Sequence, residues 1–203
     1  MGKTIDTPIT SLDQLDPNGT YTYADYLTWK FEETVELIKG KIFRMAAPRR
    51  KHQDISREIS GPFYLYFQRK DCKFYAAPFD VRLYDTLKSV KANRPIYSVI
   101  QPDVCVVCDL NKLDDKGCLG APDLIVEILS PGNSKKEMIN KYNLYEENGV
   151  REYWIVSPDS EMVTLLVLQK NGKYAPPQYF FSDDSLTSAI FPDLTLDLGA
   201  VLL

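Results

Sequence analysis

The run Asp123-Leu-Ile-Val-Glu127-Ile-Leu-Ser-Pro131 sets an acid among five large aliphatic residues. A short apolar run closed by Ser-Pro predicts a buried strand. An unpaired carboxylate is costly in such a place, so Glu127 requires partners. A well-punctuated helix follows. Ser134-Lys-Lys-Glu137 reads as a capping box and Gly149 as a left-handed stop. "REYWIVSP", from Arg151 to Pro158, then reads as another core strand. Strands joined by a crossover helix predict a mixed α/β sheet covered by helices.

The flanking sequence extends this plan. Tyr21 to Glu32 reads as a short amphipathic helix, and "VELIKGKIFRM" as a hairpin turning near Lys39-Gly40. From Lys51 to Arg69, Ile55, Ile59, Phe63 and Phe67 recur at helical spacing, with a kink expected at Gly61-Pro62. "KFYAAPFDVRLY" and "QPDVCVVCDL" read as strands joined by a polar stretch from Asp85 to Asn93. "MVTLLVLQKNGKYAPPQYFF" reads as a hairpin turning at Asn171-Gly172. The tail is polar, then mildly apolar. Residues 1–20 form a polar leader, and 21–203 a single domain with β-hairpins added at both ends.

Composition narrows the function. The chain has 203 residues, 44% hydrophobic and 26% charged, which suits one folded domain rather than disorder. It has no apolar run of the roughly 20 residues that span a bilayer and no signal core near the start. Gly2 lacks the Ser or Thr at position 6 that myristoylation requires, since Asp6 stands there. A soluble cytoplasmic protein without membrane attachment is the expectation. A net charge of −4 argues against coating nucleic acid by bulk electrostatics, though a local basic surface remains open. The densest cationic cluster is "PRRKHQ", Pro48 to Gln53, which by itself reads as a solvated helix start.

Cys105 and Cys108 form a C-x-x-C inside a β-branched run, where their odd separation sends the sulfurs to opposite faces. Cys72 and Cys118 are isolated, so four buried structural thiols in a reducing compartment are expected. His52 is the one histidine, which excludes zinc sites built on two. No phosphate loop, dinucleotide fingerprint or nucleophile elbow is present. Carboxylate chemistry is what is left.

Asp103 opens the "VCVV" strand, and period-two alternation puts it on one face with Cys105 and Val107. Asp123, Ile125, Glu127 and Leu129 share a face of their own strand. If the two strands are neighbours, Asp103 and Glu127 can meet there. Paired carboxylates raise each other's pKa unless a cation offsets them, a role that suits Mg²⁺. They can equally be structural. On the capped helix, Met138, Lys141, Tyr142 and Tyr145 share a face. Lys141 either snorkels to water or turns its amine to the acids, while the tyrosines read as core. Asp80, an exposed-strand acid or a metal contact, and Asp123, at a strand entrance, are the remaining candidates.

"QPDVCVV", "GAPDLIVEILSPGNS", "KYNLYEENGV" and "REYWIVSP", with "VELIKGKI" and "HQ" before them, resemble the Uma2 family from about Tyr21 to Leu203. That family belongs to the PD-(D/E)XK nuclease superfamily. The resemblance implies a restriction-endonuclease-like mixed β-sheet flanked by helices. It also implies an endonuclease that hydrolyses phosphodiester bonds of nucleic acid, DNA first, with Mg²⁺ or Mn²⁺. Position by position it makes Asp103 and Glu127 the metal-holding acids. Leu129 stands where the superfamily places its lysine, and the role passes to Lys141 on the following helix. Glu36 matches a further acidic position, as a base or metal contact, and His52 a phosphate or water contact. Arg49, Arg50 and Lys51 become candidate contacts to the nucleic-acid backbone, and a homodimer is a further expectation. The alternative is an inactive nuclease fold that binds nucleic acid or protein.

Overall fold

A computed structural model describes residues 8–84, 96–131 and 135–202. The N-terminal half carries α1 (Tyr23–Tyr26), β1 (Val35–Ile38), β2 (Lys41–Arg44), α2 (Arg50–Phe67), β3 (Lys73–Ala76) and β4 (Val81–Leu83). Next come β5 (Ser98–Ile100), β6 (Val104–Val107), β7 (Leu113–Asp114), β8 (Gly117–Leu119) and β9 (Leu124–Ile128). The remainder is α3 (Lys135–Asn148), β10 (Glu152–Ser157), β11 (Met162–Val167), β12 (Gln178–Phe181), β13 (Ser185–Thr187), β14 (Thr195–Asp197) and α4 (Leu198–Leu202).

Two six-stranded sheets organise the molecule. The core sheet runs β12-β11-β10-β9-β6-β3, and the second sheet β2-β1-β5-β4-β8-β7. β9 and β10 are parallel, joined through α3, while β6 lies antiparallel to β9. On one face of the core sheet, Val104, Val106, Leu124, Val126 and Trp154 pack against α2, α4 and the β13–β14 hairpin. On the other, Cys105, Val107, Ile125 and Tyr153 meet α3 and the inner side of the second sheet. Among the described residues no helix is long and apolar enough to cross a membrane.

α2 shows how packing overrides a local breaker. Its stripe of Ile55, Ile59, Phe63 and Phe67 is buried as its spacing requires, and the helix runs unbroken through Pro62. Four such side chains contribute about 6–12 kcal/mol of burial. A proline inside a helix costs about 3 kcal/mol. Gly61 and Pro62 are exposed, so the lost hydrogen bond lies on the solvent side of the helix.

Elsewhere the structure departs from the expected elements. The helix expected over Tyr21–Glu32 is one turn, closed by Thr22 and Asp25 capping each other. The Thr28 hydroxyl then binds the Asp25 carbonyl, and Trp29 packs against Tyr21 and Phe31. "KFYAAPFDVRLY" is two strands in different sheets, because Pro78 has no N–H to continue a ladder. The hairpin at Lys39-Gly40 is present, both residues taking positive φ. Ile9, Leu12 and Leu15, part of the polar leader, pack beneath the second sheet with Trp29, Leu37 and Val99. Ser134 of the expected capping box and residues 85–95 lie outside the described residues.

The cysteines also need correction. Cys105 and Cys118 are free and buried, but Cys72 and Cys108 form a disulfide. The register Lys73↔Val107 explains it, since the next pair outward along the ladder is Cys72 and Cys108. Cys105 and Cys108 do face opposite sides of the sheet. A disulfide removes the premise on which a reducing compartment was expected.

Candidate active site

β6 and β9 are adjacent, with Val104 opposite Val126. One step further along the ladder Asp103 comes level with Glu127, and both turn toward α3 and the second sheet. Asp103 is held by two contacts. Its Oδ2 accepts the Ile128 N–H at 2.7 Å, and His52 Nε2 lies 3.3 Å from its Oδ1. His52 sits in the first turn of α2, nearly buried, and its Nδ1 has no partner among the described residues. Burial pulls the imidazole pKa down, and the Asp103 carboxylate more than offsets it, so the net shift is upward.

Lys141 does not snorkel to water. It is 7% exposed, and its ammonium lies 3.0 Å from each Glu127 oxygen. It also lies 3.1 and 2.9 Å from the two oxygens of Glu36, which is 1% exposed. β1 thus brings a third acid from the second sheet. The Gln101 N–H fixes Glu36 Oε1 at 2.8 Å. One helical turn beyond Lys141, the Tyr145 hydroxyl donates a short hydrogen bond to Glu127 Oε1.

The electrostatics follow. Burial pushes the Glu127 carboxyl up to about 7, because Lys141 must be shared with Glu36 and Asp103 is close. The carboxylates more than offset the burial of Lys141, which stays an ammonium well above neutrality. Glu36, Asp103 and Glu127 are three acids set against the one ammonium of Lys141, an excess of formal negative charge. A single divalent cation balances that.

These groups line one cavity of about 590 Å³. Its walls come from Arg44 at the end of β2, from the β2–α2 connection including Pro48, from Ala77 and Pro78, and from the start of α3. Ile128 and Ser130 also line it, and Leu129 between them does not. Arg49, Arg50 and Lys51 are exposed between the lining residues Pro48 and His52. Their ion pairs are loose, Arg50 to Asp54 and Lys51 to Glu161 at 3.9 Å each, so both charges stay available to an anion. Among the described residues no three His, Cys, Asp or Glu side chains form a metal cage. Magnesium needs none, since it takes one or two carboxylates and completes its shell with waters and phosphate oxygens. Asp103 and Glu127 fit that requirement.

Asp123 lies outside this group. It accepts the Cys108 N–H at 2.8 Å and pairs with Arg151 at 3.0 Å, a strand-end clasp. Asp80 accepts from the Gln101 side chain at 2.8 Å, and burial raises its pKa. Tyr145 is the residue whose contact to the acid the sequence reading missed. Its place four residues after Lys141, on the same helix face, was the available signal.

The model of the Uma2 family, described as "Putative restriction endonuclease", matches residues 23–199. The chain belongs to the Uma2 family. An uncharacterized protein of Synechocystis is 26% identical over 162 residues, covering 78% of this chain and 80% of the relative. A solved structure from Anabaena variabilis, described as a putative nuclease belonging to DUF820, matches with a TM-score of 0.69. It covers 90% of this chain and 99% of that one at 21% identity. That likeness shows a shared fold, mixed α/β with large mixed sheets and flanking helices. Within this Uma2 fold the cavity opens where Asp103, at the start of β6, meets the end of β9.

Proposed function

We propose that this Uma2 chain is a metal-dependent endonuclease that hydrolyses phosphodiester bonds of nucleic acid, DNA in the first instance. The observation that carries this reading is the meeting of Asp103 and Glu127 with Lys141 in one cavity of net negative charge. The family's printed description and that of the Anabaena structure support the same chemistry. Asp103 and Glu127 would hold Mg²⁺ or Mn²⁺. Such an ion supplies a bound water of lowered pKa and charge for the developing phosphorane. His52 and the Ile128 N–H keep Asp103 oriented. Lys141 contributes a permanent ammonium to orient the attacking water or meet the scissile phosphate. Arg49, Arg50 and Lys51 hold the flanking backbone, which makes affinity salt-dependent and sequence-blind.

Plasmid cleavage with Mg²⁺ or Mn²⁺ tests the reading. Wild type nicks or linearises the substrate, and Asp103→Asn and Glu127→Gln lose at least about a hundredfold in rate. Equal cutting by wild type and both variants removes it. Two features favour a second reading, an inactive fold that binds nucleic acid or protein. Leu129 replaces the superfamily's lysine, and the Lys141 ammonium is already engaged by two carboxylates. That reading expects neither cleavage nor saturable Mn²⁺ binding.

A further inference from the structure

We infer that Lys141 occupies the seat a divalent cation takes on Glu127, and that Glu36 is the positioning residue that receives its ammonium when a cation loads. The inference rests on the metal-dependent reading above. Four carboxylate oxygens lie within 3.1 Å of Nζ, two from Glu127 and two from Glu36. That is an oxygen shell of the kind a hard cation takes, filled by nitrogen. An ammonium has three protons for these four acceptors, so on leaving Glu127 it still keeps both oxygens of Glu36.

A divalent cation and the ammonium cannot share the edge of Glu127. Like charges a few ångströms apart beside side chains as buried as Lys141 and Glu127 repel strongly. The flexible four-carbon stem of lysine lets Nζ withdraw onto Glu36 without movement of α3. Both acids keep their orientation meanwhile. Tyr145 stays on Glu127 Oε1, and the Gln101 N–H on Glu36 Oε1. This accounts for a third acid, 1% exposed, on a different sheet from the other two.

The arrangement sets cation affinity and turnover against each other. Removing the ammonium strengthens Mn²⁺ binding while it weakens cleavage. A lysine that touched substrate alone would leave Mn²⁺ affinity unchanged, and one that only supported the fold would weaken it.

Calorimetric titration of the full chain with Mn²⁺ decides this. Lys141→Met is expected to bind Mn²⁺ about tenfold tighter than wild type, because an opposing charge is gone. Glu36→Gln, which confines the ammonium to Glu127, is expected to bind about tenfold more weakly. That loss shrinks when Lys141→Met is added. Equal or weaker binding by Lys141→Met overturns the inference, as does a Glu36→Gln loss undiminished in the double variant. Should Lys141→Met not fold without metal, Mn²⁺ is expected to restore its circular dichroism spectrum, and failure to do so counts against the inference. Wild type that binds Mn²⁺ and cuts DNA, beside an unchanged Lys141→Met affinity, defeats this inference alone. Wild type that does neither defeats the nuclease reading as well.

Discussion

Glu127 and Glu152 stand on neighbouring parallel strands, β9 and β10, and point to opposite faces of the core sheet. Glu152 is fully buried, and its three partners are neutral donors. They are the Trp154 indole at 2.6 Å, the Ser188 hydroxyl at 2.9 Å and the Ile190 N–H at 2.9 Å. Those contacts pin the β13–β14 connection onto the sheet. Glu127 is 8% exposed, holds an ammonium and a phenol, and opens onto a cavity. One acid is enclosed by fixed dipoles that have nowhere to go. The other faces the ammonium of a long side chain and an adjoining cavity. Burial alone therefore does not mark a functional acid. What distinguishes Glu127 is partners that can be exchanged.

Glu152→Ala strikes the clasp and is expected to have the largest effect on stability. It strands two buried donors and a half-buried one, and removes the tie to the C-terminal hairpin, at about 3–5 kcal/mol. The melting temperature falls on the order of 10 °C. Cleavage per folded molecule is unchanged, because neither Glu152 nor any of its three partners lines the cavity. Thermal denaturation beside plasmid cleavage at a temperature where the variant is folded checks both halves. A comparable loss of specific activity would show that the two faces are coupled and the contrast is false.

The sequence reading reached Glu127 and passed over Glu152 for a physical reason. Glu127 has aliphatic residues on both sides, so the cost of its burial is visible in one strand. Glu152 follows Arg151, and the Ser188 and Ile190 groups that satisfy it come from the far end of the chain. Alternation gave Asp103 and Glu127 faces that meet if their strands are neighbours, and the pairing of β6 with β9 supplies that condition. The second sheet was not legible. β5 and β8 are three residues each, and β7 is two, too short to show a period. Glu36 therefore had no position relative to Lys141 until those strands were in place. The Cys72–Cys108 bond escaped for the same reason, as it depends on the pairing of β3 with β6.

The pH dependence of stability sharpens the contrast next. The Glu127 carboxyl is raised from 4.5 to about 7 by burial. The folded state therefore favours its protonated form. The stabilisation is fully present below about pH 4.5, declines as pH rises, and is gone above about pH 7. The span corresponds to roughly 3 kcal/mol. Glu127→Gln removes this component, so the difference between wild-type and variant urea stabilities changes across pH 4.5 to 7 and is flat above it. A difference that is flat throughout would mean Lys141 neutralises Glu127 fully, leaving it as fixed as Glu152.

Tyr145→Phe is the finest test, since it keeps the ring against Tyr153 and deletes a single hydroxyl. The phenol hydrogen bond favours the ionised carboxylate and lowers the Glu127 pKa. Without it the stability transition moves to higher pH than in wild type. The loss at neutral pH is about 1 kcal/mol, the size of one hydrogen bond. Urea titrations from pH 5 to 9 read the displacement. A transition that stays in place would mean that Tyr145 merely packs beneath Glu127, and Lys141 would then be its one exchangeable partner.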